Sequence, residues 1–332
     1  MRKNYLQKKI TTGKFTLPVV ILISITCWVV TAFLVPNLPE QRISYSLFQL
    51  LHFPSMPVWV AKTASFILYA VIGYFLIELN NSFSIIRMRA SIQTSLYFLF
   101  IAACPMLHQL HTGDIAAIAL LISVYFLFKS YQSHQASAYL FHSFAFIGAG
   151  SLFFPQLTAL VPIWFIGAYG FQSLNLRSFF ASIIGWSVPY WFLFGHAFYY
   201  GNMELFYKPF NDLVCLQPLN FGNIQSSDWA TLGYLFILFA VSSIHCLAAS
   251  YQDKIRTRSY LRFLIFLNMF LFIFTICQPE HMLCLLSLLL MGISILAGHL
   301  FALTQNKASN IFFLFSLIGL ISLYLFNLWL LL

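Results

Sequence analysis

The stretch Phe15-Thr-Leu-Pro-Val-Val-Ile-Leu-Ile-Ser-Ile-Thr-Cys-Trp-Val-Val-Thr-Ala-Phe-Leu-Val35 decides the fold class. It holds no charged side chain and is long enough for one helical crossing of a bilayer, which needs about 20 largely apolar residues. Arg2, Lys3, Lys8, Lys9 and Lys14 precede it in the manner of a signal peptide. The apolar run is nevertheless too long for a signal core of about 7–15 residues. Phe33-Leu34-Val35-Pro36 closes it without a small-x-small cleavage pattern, so a retained first span is expected.

Working outward from that stretch, similar runs recur along the chain. Spans are expected near 15–35, 56–79, 91–110, 113–129, 138–154, 157–172, 179–199, 229–250, 260–278, 281–303 and 309–331, about eleven in a single all-α polytopic membrane domain, 1–332. Composition agrees. Of the 332 residues 61% are hydrophobic and 8% charged, where a soluble domain carries about 25% charged residues. One water-facing core could not hide so many apolar side chains, so lipid is the expected solvent and partner.

Charge placement gives an orientation. With the N-terminus in the cytoplasm, the inner segments hold Arg2, Lys3, Lys8, Lys9, Lys14, Arg87, Arg89, Lys129, Arg177, Lys254, Arg256, Arg258, Arg262 and Lys307. The outer side holds only Arg42, Lys62 and Lys208, and six of the eight acids. Retention of Lys and Arg on the inner side sets membrane topology. The net charge of +9 is then a topology signal with an attraction to anionic lipid, and no nucleic-acid partner is expected. The first outer loop, 36–55, contains Ile43, Leu47, Leu50 and Leu51 at helical spacing, which predicts a short interfacial helix. The largest outer loop is 200–228.

A charge at mid-span is expensive and usually functional, and none sits there. Lys62 is the deepest and Asn268 is the amide nearest a span centre. The outer helix ends are richer: Glu40 and Arg42 after the first span, His52, Lys62, then His108, His111 and Asp114 in Pro105-Met-Leu-His-Gln-Leu-His-Thr-Gly-Asp114, with His196 and His281 near the same face. Turn residues are also polar simply because water is there, which accounts for many of them. His108 and His111 at i, i+3 could share a metal, but no third ligand can be named, and neither metal nor cofactor is expected. The six cysteines show no C-x-x-C spacing; Cys277 and Cys284 flank a short outer loop. Phosphate-binding loops, the G-x-S-x-G elbow and H-E-x-x-H are all absent.

Two blocks carry a resemblance. One runs from Arg89-Ala-Ser-Ile-Gln-Thr-Ser-Leu-Tyr-Phe-Leu-Phe through Pro105 and Asp114 to Lys129. The other runs from Ala138 to Phe194 and includes Gly148, Gly150, Pro155, Leu176-Arg177-Ser-Phe-Phe and Gly185-Trp-Ser-Val-Pro189-Tyr-Trp. Together they resemble an uncharacterised family of multi-pass inner-membrane proteins of Bacteroides- and Flavobacterium-type bacteria. More distantly, the order of parts is similar to the membrane region of C-type glycosyltransferases, which use polyprenyl-phosphate-linked sugars. That resemblance implies catalytic roles for Glu40, as base, and Asp114, which would orient the acceptor or a metal. In a transferase of that kind Arg42 or Lys62 would hold the donor phosphate, and His108 and His111 could line the same outward cavity. The chain departs from the pattern in having one loop glutamate rather than an acidic pair, and no soluble outer domain. A transporter or flippase for a lipid or envelope precursor, and a non-catalytic structural subunit, are the alternative readings.

Overall fold

A computed structural model of the protein describes residues 6–35, 57–87, 91–214 and 225–332. Glu40, Arg42, His52 and the expected interfacial helix lie outside the described residues. Within them the chain forms thirteen α-helices and no strand. They are α1 (Leu6–Thr11), α2 (Thr16–Leu34), α3 (Val58–Phe83), α4 (Ile92–Ala102), α5 (Thr112–Lys129), α6 (Ala136–Phe153), α7 (Val161–Gly170), α8 (Leu176–Tyr199), α9 (Glu204–Val214), α10 (Ser226–Ala248), α11 (Ile255–Cys277), α12 (Met282–Leu303) and α13 (Lys307–Leu331).

Among the described residues nine helices are long and apolar enough to cross a bilayer: α2, α3, α5, α6, α8, α10, α11, α12 and α13. This fits a multi-pass membrane protein. The expected spans at 91–110 and 157–172 take a different form, and proline is the reason. Pro105 and Pro155 cannot donate to a helix, and each disfavours helical geometry in the residue before it. Cys104 accordingly sits at φ −117, ψ 80 and Phe154 at φ −133, ψ 88. The first of these spans is therefore the 11-residue α4 followed by a 3-10 turn, Pro105–Leu107. The second is a 3-10 turn, Pro155–Leu160, followed by the 10-residue α7.

The helices are arranged around α12. In its most apolar stretch 94% of residues are buried, against 22% for α2, so α12 is the central column and α2 a peripheral helix. α4, α5, α10 and α11 pack directly on α12. α2 leans on α4, and α13 on α10. α6 and α8 form a closely packed pair attached through α5. Without water between apolar helices, association depends on close packing and interhelical hydrogen bonds, and both are visible. A methyl group on Gly148 would collide with the carbonyl oxygen of Trp186, and one on Gly185 with that of Phe141, so α6 and α8 touch backbone to backbone. Ser123 and Ser143 join α5 to α6 reciprocally, each hydroxyl donating to the other's carbonyl at 2.7 and 2.8 Å.

The two ends of the bundle differ in charge. Gln7 of α1 donates to the carbonyls of Phe301 and Thr304, both at 2.8 Å, which brings the N-terminal helix to the end where α12 finishes. At that end Arg87 holds Asp253 through Nε and Nη2 at 3.1 and 2.8 Å, Lys129 lies over Tyr125 and Tyr139, and Arg256 lies over Phe83 and Tyr260. We call this the basic end. Among the described lysines and arginines only Lys62 and Lys208 belong to the far end. Cys277 and Cys284 are not joined: Cys277 is an exposed free thiol, while Cys284 lies 3.1 Å from Thr112 Oγ1.

Candidate functional site

The connection from α4 to α5 does not lie on the surface of the bundle. Cys104, Pro105, Leu107, His108, His111 and Thr112 are all buried. A hypothetical Cβ on Gly113 would stand 2.6 Å from the Cα of Cys284, so the turn is pressed directly against α12. Its partner on α3 is Ser65, about 10 Å along the helix from Val58 at 1.5 Å per residue. Non-helical backbone at such depth is tolerated only where protein or a cavity satisfies it.

The sequence supplies that satisfaction. Asp114 is the third residue of α5, where unpaired N–H groups and the helix dipole favour a carboxylate. Its Oδ2 accepts from the backbone N–H of His111 and from Ser65 Oγ, both at 3.2 Å. Its Oδ1 lies 2.7 Å from His111 Nδ1. The far nitrogen of that imidazole, Nε2, is 3.3 Å from Ser287 Oγ on α12, and Ser287 meets the hydroxyl of Tyr69 at 3.5 Å. Ser65 also approaches the Leu107 carbonyl at 3.3 Å. One polar network therefore ties the turn to α3 and to the central column.

Asp–His–Ser in this order is also the constellation of nucleophilic acyl transfer. Access argues against that use. Ser287, Asp114 and Tyr69 are each 0% exposed, so no acyl carbon can approach the hydroxyl in this conformation. The network is a clamp.

His108 and Lys62 lie beside it. The His108 ring stacks on Trp28 at 3.9 Å and 19°, with Nε2 3.2 Å from the Ile101 carbonyl. His108 is an aromatic wall behind Trp28. Lys62 is itself buried and donates to the Val35 carbonyl at 2.9 Å. On the outer side of Trp28, between α2 and α3, is a groove of about 600 Å³ with predominantly apolar walls. Trp28, Val29, Trp59 and Phe66 form its sides and, among the described residues, Lys62 supplies its cation.

No family model, curated protein or solved structure matches this chain. The site is therefore argued on its own chemistry. Of the residues expected from the sequence, Lys62, His108, His111 and Asp114 are brought together. His281 is elsewhere, with Nε2 3.0 Å from Gln156 Nε2, and His196 lies on the surface of α8 beside Tyr200. Glu40 and Arg42 are outside the described residues. Ser65, Tyr69, Ser287 and Trp28 were not anticipated, because serine and aromatic residues are common in apolar helices and nothing in their spacing sets these apart.

Proposed function

We propose that this chain is a multi-pass protein of the bacterial inner membrane, with its basic end in the cytoplasm, that handles a lipid-linked phosphate at its far end. The observation that carries the reading is the apolar α2–α3 groove, which opens on the outside of the bundle and has Lys62 beside it. An acyl or polyprenyl chain suits such walls, and an ammonium suits the phosphate that joins the chain to its headgroup. Trp28, backed by the stacked His108 ring, supports the inner wall. Asp114 and His111 act as positioning residues by holding the turn that carries His108.

The enzymatic form of this reading is glycosyl transfer from a polyprenyl-phosphate sugar. Glu40 would take the proton from an acceptor hydroxyl as its oxygen bonds to the anomeric carbon. The bond from that carbon to the phosphate oxygen breaks, and polyprenyl phosphate leaves against Lys62 and Arg42. A base near an anion-binding cation is what this chemistry requires. The lateral opening of the groove equally suits a carrier or flippase, and the two separate on one experiment. A photoactivatable polyprenyl-phosphate sugar should crosslink to α2 or α3, and Lys62→Ala should reduce capture about tenfold. Glu40→Ala should abolish sugar transfer while leaving capture intact if the chain is a transferase. Transfer that survives Glu40→Ala removes the enzymatic form, and capture insensitive to both Lys62→Ala and competing polyprenyl phosphate removes the reading as a whole.

A further inference from the structure

At the basic end, away from the groove, His245 and Cys246 in the last turn of α10 face His299 in the last turns of α12. One ligand atom from each lies within 4.8 Å of the others. We propose that His245, Cys246 and His299 form a binding site for a single borderline-soft transition-metal ion of the zinc(II) class.

Four observations meet here. First, Cys246 Sγ is 3.5 Å from His299 Nδ1. A tetrahedral ion with bonds of about 2.3 Å to sulfur and about 2.0–2.1 Å to nitrogen separates those two atoms by about 3.5 Å. Second, a carboxylate stands behind the His299 ring: Nε2 lies 3.3 Å from Asp253 Oδ2, and Arg87 grips the opposite oxygen of the same carboxylate at 2.8 Å. A carboxylate in that position is the usual companion of a metal-binding histidine. Third, His245 is arranged in the same way. Its Nε2 bonds Thr304 Oγ1, which leaves Nδ1 buried with no hydrogen-bond partner among the described residues. Fourth, His245, Asp253, His299 and Thr304 line a cavity of about 340 Å³, so a fourth position is open to water or a small ligand.

The donor set selects the ion. Two imidazoles and a thiolate are too soft for magnesium or calcium, which take oxygen, and suit zinc, cobalt or copper. Binding would release the Cys246 thiol proton to solvent and bring the wider-spaced atoms inward by about 1 Å. It would also bolt α10 to the central column at the point where the α10–α11 connection carries Asp253.

The test uses the full chain purified in detergent and stripped of metal. Added Co²⁺ should bind at one ion per chain with a sulfur-to-cobalt charge-transfer band that Zn²⁺ displaces. Cys246→Ser should abolish the band, and Cys277→Ser should leave it unchanged. His299→Ala should weaken Zn²⁺ binding at least 100-fold, and Asp253→Asn should weaken it about 10- to 100-fold. If the variants fail to fold, zinc-edge X-ray absorption on the unaltered chain decides the matter, with one sulfur and two imidazole nitrogens expected around the ion. A band that survives Cys246→Ser, a zinc sphere without sulfur, or failure to retain stoichiometric metal through dialysis would overturn the proposal.

Discussion

α12 meets a carboxylate–imidazole pair near each of its ends, and the two differ in what lies beyond the imidazole. At the far end Asp114 faces His111, and the next group is Ser287, a hydroxyl sealed on every side. At the basic end Asp253 faces His299, and the next group is Cys246, with a second imidazole and an open cavity beside it. The same two residue types form a structural lock in one place and a ligand set in the other. Access and the third group make the difference: a buried hydroxyl completes a hydrogen-bond chain, whereas a thiol and an unpartnered nitrogen leave a coordination shell to be filled.

That contrast can be broken or sharpened by substitution. The largest effect on stability is expected for Asp114→Ala. It strands the Nδ1 side of the His111 imidazole and a backbone N–H in the interior, and breaking a buried pair costs about 3–5 kcal/mol. Thermal unfolding in detergent should show the largest fall in midpoint of any variant discussed. Gly113→Ala comes next. Its methyl would stand 2.6 Å from the Cys284 backbone and drive α5 off α12, an overpacking of about 1–3 kcal/mol, visible as faster proteolysis within 103–114. In metal-free protein Asp253→Ala should cost about 1–2 kcal/mol, because Arg87 is 44% exposed and its released guanidinium is rehydrated. An Asp253→Ala loss equal to that of Asp114→Ala would erase the proposed distinction between lock and ligand set. The smallest effect belongs to Ser123→Ala in the α5–α6 pair, about 0.6 kcal/mol as for other interhelical hydrogen bonds between membrane helices. It provides the baseline against which the others are read.

The membrane-spanning character was legible from composition and run length, and nine of the expected spans are long apolar helices among the described residues. What could not be read was the order of burial. α2 and α12 are almost equally apolar, with mean hydropathies of 2.5 and 2.2, yet one is peripheral and the other central. In a bilayer both the lipid-facing and the protein-facing sides of a helix are apolar, so the periodicity that marks a core face in water is lost. Pro105 and Pro155 were visible in the sequence, but apolar residues on both sides of each concealed how far the helices beside them would be cut short. For the far-end site, Asp114, His111 and His108 stood out because polar residues are rare in this chain, while their partners Ser65, Tyr69 and Ser287 did not. The His245–Cys246–His299 group escaped notice for a different reason. Its two halves are separated by an entire intervening helix, α11, and no local spacing announces them.

The central position of α12 sets a problem of timing for biogenesis. Among the described residues, the helix that α4, α5, α10 and α11 all pack against comes after all four of them in the chain. At about 5–20 residues per second, α4 and α5 wait on the order of ten seconds or more with the surface they present to α12 vacant. Lipid or an insertase must occupy that space until the column arrives and displaces it.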